Sequence, residues 1–262
     1  MKNISEVYNS KIEKLREFFA GVGASKAVIA LSGGIDSAVV VPLAVEALGR
    51  ENVKVVMLPT RFSSEHSVLD SKEEVRRLGI EGNVVSIDGI FEAALEAVSP
   101  LFDTTKGGIA VENMQARIRC MVTMALANSL GALMLNTSNR SEILVGYGTL
   151  YGDTSGAVGV IGDLYKDEVY ALARYINEVQ GDVIPENILT KAPSAELSHG
   201  QKDSDSLPEY DVLDPILRML FDQGLSAEQT ATNGGYPLAT VQRVVTLNLN
   251  NSFKTKQLPP LL

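Results

Sequence analysis

The sequence predicts an α/β fold, a doubly wound parallel sheet with helices on both faces. Three observations carry that expectation. Short apolar runs of strand length recur between residues 26 and 136, helix-length amphipathic segments separate them, and Gly or Pro punctuates the joins. In such sheets ligands sit beyond the carboxyl ends of the strands, where strand order reverses. The polar residues just after each strand are therefore the candidates for chemistry.

Residues 4–22 carry Ile4, Tyr8, Ile12, Leu15, Phe18 and Val22 at helical spacing, with Gly21 and Gly23 to stop the helix. The apolar run 26–31 suits a buried strand. A glycine turn follows, and Ala38, Val41, Val45 and Leu48 then mark a helix that ends at Gly49. The alternation continues with a strand at 53–58, a helix near 64–78, a strand at 83–87 and a helix near 89–98, closed by Pro100. A long helix near 111–130 and a strand at 132–136 complete the series. Beyond residue 137 lie a glycine-rich stretch, 146–162, and a helix near 166–179. A loop-like tract follows over 181–209, of a length that in compact domains is usually functional. Helices near 211–221 and 238–250 precede a basic tail, Lys254-Thr255-Lys256, and Pro259-Pro260. With no internal repeat and no linker composition, residues 1–262 read as a single domain.

Composition bounds the function. A 262-residue chain with 45% hydrophobic residues can bury a sizeable core. The net charge of −9 counts against a duplex nucleic-acid partner, which normally needs a basic face. No apolar run nears the roughly 18 to 20 residues of a membrane span and the N-terminus lacks a signal-peptide pattern, so the expectation is a cytoplasmic protein with no membrane partner. The single cysteine, Cys120, has no metal-ligand neighbour at short spacing and reads as a buried free thiol.

The loop Ser32-Gly33-Gly34-Ile35-Asp36-Ser37 joins a buried strand to a helix, which aims backbone N–H groups and the positive helix end at one spot. Gly33 and Gly34 allow close approach of a phosphate, and the two serines add hydroxyls. Asp36 is repulsive beside a phosphate unless a cation lies between them, which suggests Mg²⁺. A plain strand-to-helix turn is the bland alternative. Neither G-x-x-x-x-G-K-[ST] nor G-x-G-x-x-G follows the first strand.

The hexapeptide resembles the S-G-G-x-D-S signature of the PP-loop ATP pyrophosphatases, which bind the pyrophosphate end of ATP and release it while adenylating a substrate. Further segments are similar to NAD synthetases: Glu112-Asn113-Met114-Gln115-Ala116-Arg117-Ile118-Arg119, Asn136-Thr137-Ser138-Asn139-Arg140-Ser141-Glu142, Tyr151-Gly152-Asp153, Ile161-Gly162-Asp163-Leu164-Tyr165-Lys166, Lys191-Ala192-Pro193-Ser194-Ala195 and Phe253-Lys254. They occur in family order across nearly the whole chain. The resemblance implies a Rossmann-like sheet of the adenine nucleotide alpha-hydrolase-like kind, and a ligase that amidates nicotinic acid adenine dinucleotide to NAD with ATP and ammonia. It implies that Ala30, Leu31, Ser32, Gly33, Gly34, Ile35, Asp36, Ser37, Thr137, Lys166 and Ser194 contact ATP, and that Asp36 and Glu142 share Mg²⁺. Arg117, Phe253 and Lys254 would meet the dinucleotide. Asp153 and Lys166 would act in catalysis, Asp153 holding ammonium and Lys166 stabilising charge that develops on the phosphates. A homodimer is implied as well.

Each assignment has a structural alternative. Thr137 and Glu142 suit a helix start, Arg117 a surface ion pair, and Lys254 a charged tail. Lys166 at a helix start opposes the dipole, which a phosphate partner would explain. His66 and His199 carry no assigned role. Leu150 and Ala157 stand where many ammonia-dependent members have Lys and Asp, and Phe253 where they have His, so these details look more like the synthetase domain of glutamine-dependent enzymes. Only about 25 residues precede the first strand and Cys120 sits mid-helix, from which the expectation is free ammonia or a separate glutaminase. Another PP-loop AMP-forming ligase and a non-catalytic ATP sensor are the rival readings.

Overall fold

The computed structural model describes residues 3–262. Five strands, β1 (Ala27–Ala30), β2 (Val53–Met57), β3 (Glu81–Val84), β4 (Leu133–Asn136) and β5 (Val158–Gly159), form one parallel sheet in the order β3-β2-β1-β4-β5. Ala27 sits opposite Val53 on one side and Leu133 on the other, so the order reverses between β1 and β4. A crevice opens at such a point because the connections leave the two strand ends in opposite directions.

Strand alternation divides the core. Ala27, Ile29, Val53 and Val55 point to one face, where they share a core with α1 (Ile4–Gly21), α2 (Ile35–Leu48), α3 (Glu65–Leu78) and α7 (Lys166–Gln180). Val28, Val56 and Met134 point to the other, beneath α4 (Asp88–Val98) and α5 (Ile109–Leu130). The predicted doubly wound sheet is thus the observed one. Beside it a smaller apolar cluster joins Val145 of α6 (Arg140–Val145), Leu213, Ile216 and Leu217 of α9 (Tyr210–Leu217), and Val241 and Val244 of α11 (Leu238–Thr255).

Several boundaries depart from the periodicity. β3 begins earlier than expected, although Val85 N and Ile87 N still donate to Met57 O and Pro59 O, so extended pairing reaches Ile87. The glycine-rich stretch hides β5, too short to show alternation, which is paired to β4 and bridged by Leu261. The tract 181–209 contains a short helix, α8 (Glu186–Thr190), and a 3₁₀ turn, Asp203–Asp205. The polar helix α10 (Ala227–Gly234) had no apolar stripe to reveal it. The basic tail is not a tail: α11 continues to Thr255, so Phe253 and Lys254 ride its last turn. No helix among the described residues is long and apolar enough to cross a membrane.

Candidate active site

The turn after β1 is built from its own side chains. Ser37 Oγ accepts from Ser32 N at 3.2 Å and donates to Gly34 O at 3.1 Å, and Ser32 Oγ accepts from Gly34 N at 3.1 Å. Gly33 has φ +79°, and a Cβ there would lie 2.4 Å from Ser67 O. No other residue type fits both the left-handed backbone and that contact with α3. The turn opens α2, whose first residues, Ile35, Asp36 and Ser37, line the crevice.

Asp36 leaves this turn toward α6 and α7. Its Oδ2 accepts from Lys166 Nζ at 2.6 Å, its Oδ1 from Asn139 Nδ2 at 2.8 Å, and Glu142 Oε1 lies 3.2 Å from the same ammonium. Glu142 has two tasks: Asn139 caps α6, and Glu142 Oε2 completes that capping box by accepting from Asn139 N. The helix-start reading of Glu142 is met, and the same carboxylate also faces Lys166. Thr137 is not the cap.

Lys166 is 2% exposed at the first position of α7, where the dipole opposes it. Asp214 offsets that cost. Its Oδ2 accepts from Asp167 N at 3.0 Å and its Oδ1 from Ser141 Oγ at 2.5 Å, while Ser141 Oγ accepts from Lys166 N at 3.0 Å. A third carboxylate faces the ammonium from the 181–209 tract: Asp203 accepts from Tyr147 OH at 3.1 Å and Tyr210 OH at 3.0 Å, and Lys166 Nζ lies 5.0 Å from the Tyr210 ring centroid. One ammonium cannot neutralise three carboxylates. Burial pushes the Glu142 carboxyl up to about 8, Lys166 pulls against that, and Asp36 and Asp203 reinforce it. Burial works to lower the Lys166 ammonium, and Asp36 and Glu142 outweigh it, so the lysine stays charged.

The two carboxylates Asp36 and Glu142 converging on one positive charge suit a divalent cation whose other ligands are phosphate oxygens and water, the pattern of Mg²⁺. Among the described residues no group of three or more His, Cys, Asp or Glu is arranged to hold a metal by itself.

A cavity of about 290 Å³ joins these parts. Ala30, Leu31, Ser32, Gly34 to Ser37, Thr137, Glu142, Asp153, Lys166 and Ser194 all line it. Asp153 opens onto the cavity with Oδ1 accepting from Thr149 N at 2.7 Å; crowding protein pushes its carboxyl up to about 6, opposed by the Thr149 N–H, Lys254 and Arg119. Arg117 does not line the cavity. It lies exposed on α5 and donates through Nε to Leu150 O at 3.2 Å. Phe253 is 53% exposed, and Lys254 Nζ donates to Gly146 O and Gly148 O at 2.8 and 2.9 Å.

The segment 191–203 closes one wall. Glu196, at φ +49°, accepts from Ser64 N, Ser64 Oγ and Ser67 Oγ at 3.1, 2.8 and 2.7 Å, which ties it to the N-terminus of α3. Gln115 Nε2 donates to Leu197 O at 2.8 Å, and Ser194 Oγ to Gln201 O at 2.6 Å. His199 packs edge-on to Phe62 at 5.0 Å. Cys120 is half-buried on the cavity wall rather than sealed in the core. Sequence reasoning gave no role to Asn139, Tyr147, Glu196, Asp203 or Tyr210. Asn139 stood inside a family-like segment, and the density of polar residues in 181–209 pointed to the tract that holds Glu196 and Asp203.

The NAD synthase family model matches residues 7–259. The glutamine-dependent NAD(+) synthetase of Thermotoga maritima is 43% identical over 253 residues, covering 96% of this chain and 44% of the relative. The chain therefore spans less than half the length of that relative. An NH3-dependent NAD synthetase from Campylobacter jejuni superposes with TM-score 0.78 at 26% identity, covering 100% of each chain. An NMN synthetase from Francisella tularensis also superposes with TM-score 0.78, at 27% identity and 97% of each chain.

Proposed function

The chain belongs to the NAD synthase family, and from that premise we propose that it amidates nicotinic acid adenine dinucleotide to NAD, using ATP and ammonia and releasing AMP and pyrophosphate. The observation that carries this reading is the Asp36–Lys166–Glu142 centre, set beside a phosphate-sized turn and sharing one cavity with Asp153.

A carboxylate reacts with ammonia only after its oxygen becomes a good leaving group. The nicotinate carboxylate would attack the α-phosphate, forming an acyl-adenylate and breaking the bond to the β-phosphate oxygen. Pyrophosphate would be received by the N–H groups of the 32–37 turn and the start of α2, with Thr137 and Ser194 lining the same cavity. Lys166 is held charged and buried between Asp36 and Glu142, so it can stabilise the departing negative charge from a preset position. Asp36 and Glu142 would hold Mg²⁺, which when bound neutralises polyphosphate charge. Asp153, ionised above about 6, would bind ammonium and take the proton that frees ammonia to attack the acyl carbon; AMP then leaves.

We place the dinucleotide's outer part along Arg117, Phe253 and Lys254. The exposed apolar side chains Ile109, Met121 and Met124 of α5 favour a homodimer that covers them. The nitrogen source is proposed as free ammonia, with a separate glutaminase as the alternative supply, in the cytoplasm. One assay tests the reading: protein, ATP, Mg²⁺, ammonium and nicotinic acid adenine dinucleotide should yield NAD and pyrophosphate in equal amounts, and glutamine alone should not replace ammonium. Preference for nicotinic acid mononucleotide would shift the substrate to the shorter acid. No amide from either acid would overturn the proposal.

A further inference from the structure

Two arginines stand two residues apart on α5, and a helix turns about 100° per residue, so they face nearly opposite ways. Arg117 points to the surface, and Arg119 lines the cavity. Arg119 Nε donates to Leu58 O at 3.0 Å, at the end of β2, which fixes the plane of the guanidinium. Among the described residues that is its one hydrogen bond, and no carboxylate forms an ion pair with it. The terminal nitrogens are thus anchored at one end and uncommitted at the other, against a cavity.

The charge around it is of one sign. Glu196, Asp153 and Asp88 are the carboxylates whose fields reach Arg119, and burial works to lower its pKa against them. Asp153 feels Arg119 in return. Both line the same cavity, and no hydrogen bond joins them. Lys166 serves the phosphate end, where Asp36 and Glu142 already claim it. Arg119 is a second cation, on the Asp153 side, with a planar fork that matches a carboxylate in two parallel hydrogen bonds.

Building on the proposed amidation, we infer that Arg119 binds the carboxylate of the acid substrate, selecting an anionic acyl group and holding it between the α-phosphate of ATP and Asp153. Once the acyl-adenylate forms, the same donors face the carbonyl oxygen. The amide product, neutral at this position, would bind Arg119 less well and leave. Arg119 would therefore separate substrate from product as well as orient the attack.

Steady-state kinetics of Arg119→Met against wild type test this. The KM for the acid dinucleotide should rise roughly 10- to 100-fold, the worth of a charged hydrogen bond, while the KM for ATP stays within about threefold. Millimolar guanidinium should restore part of the loss, which a purely structural defect would not permit. Equal shifts in both KM values, or no shift, would overturn the inference. Should Arg119→Met fail to fold without its bond to Leu58, wild-type protein answers instead: phenylglyoxal labelling mapped by mass spectrometry should show Arg119 protected by the acid dinucleotide and not by NAD. Equal protection by both ligands would overturn the inference. A wild-type protein that forms no NAD removes the proposed function and this inference together; active wild type with unchanged Arg119→Met kinetics removes this inference alone.

Discussion

Lys166 Nζ lies 2.6 Å from Asp36 Oδ2 and ties the first turn of α2 to the first turn of α7 across 130 residues of sequence. Both side chains are largely withdrawn from water, the lysine at 2% and the aspartate at 19% side-chain exposure. Removing one partner of such a buried pair leaves the other charge uncompensated. Lys166→Met should therefore lose about 3 kcal/mol of stability by denaturant titration. Product formation should fall by at least about 10²-fold at saturating substrate.

Asp36→Asn keeps the side-chain size while removing the negative charge, and its single acceptor oxygen can receive only one of the two hydrogens that Asn139 and Lys166 donate to Asp36. Turnover should fall at least about 10²-fold and its dependence on Mg²⁺ should weaken, with melting changed far less. An unaltered Mg²⁺ titration at full turnover would take Asp36 out of the metal site.

Asp153 should govern one half-reaction. In Asp153→Asn, ATP–pyrophosphate exchange driven by the acid dinucleotide should persist, while NAD formation falls by about 10²- to 10⁴-fold. Because the carboxyl is raised to about 6, the wild-type rate of amide formation should increase as pH rises through that value, and the variant should lack this limb.

Glu196 holds the 191–203 wall through three hydrogen bonds to Ser64 and Ser67. Glu196→Ala should increase amide hydrogen exchange in that segment and raise the KM for ATP by about tenfold, with the sheet's protection unchanged. Exchange rates equal to wild type would show that the segment needs no such tie.

Glu74, on α3, is fully buried, and neither carboxyl oxygen has a hydrogen-bond partner among the described residues. Burial pushes its pKa well above the ordinary range, which favours the neutral acid in the folded state. The folded state then binds more protons than the unfolded one above the ordinary glutamate pKa. Glu74's part of the stability is intact below that value and lost as pH rises toward the folded pKa. Glu74→Leu should flatten this slope and stabilise the protein by about 1–3 kcal/mol at neutral pH. Melting temperatures between about pH 5 and pH 8 read both effects.

Local regularities made much of this protein legible in its sequence. Apolar period and glycine position located four of the five strands and most of the helices, because near neighbours set those signals. The turn 32–37 displayed its own hydrogen-bonding serines and its two glycines, and Asp36 betrayed itself as a charge out of place. Where an element is too short or too polar to carry a period, as in β5 and α10, pairing and packing partners decide it, and those lie far away in the chain.

The tertiary structure alone decided which charges meet. Asp203 and Tyr210 join Lys166 from a tract without periodicity, Glu142 caps α6 and faces Lys166 at once, and α5 turns Arg119 inward while Arg117 faces out. Coulombic and hydrogen-bond energies depend on separations of a few ångströms in space. A sequence records separation along the chain, and only folding converts one distance into the other.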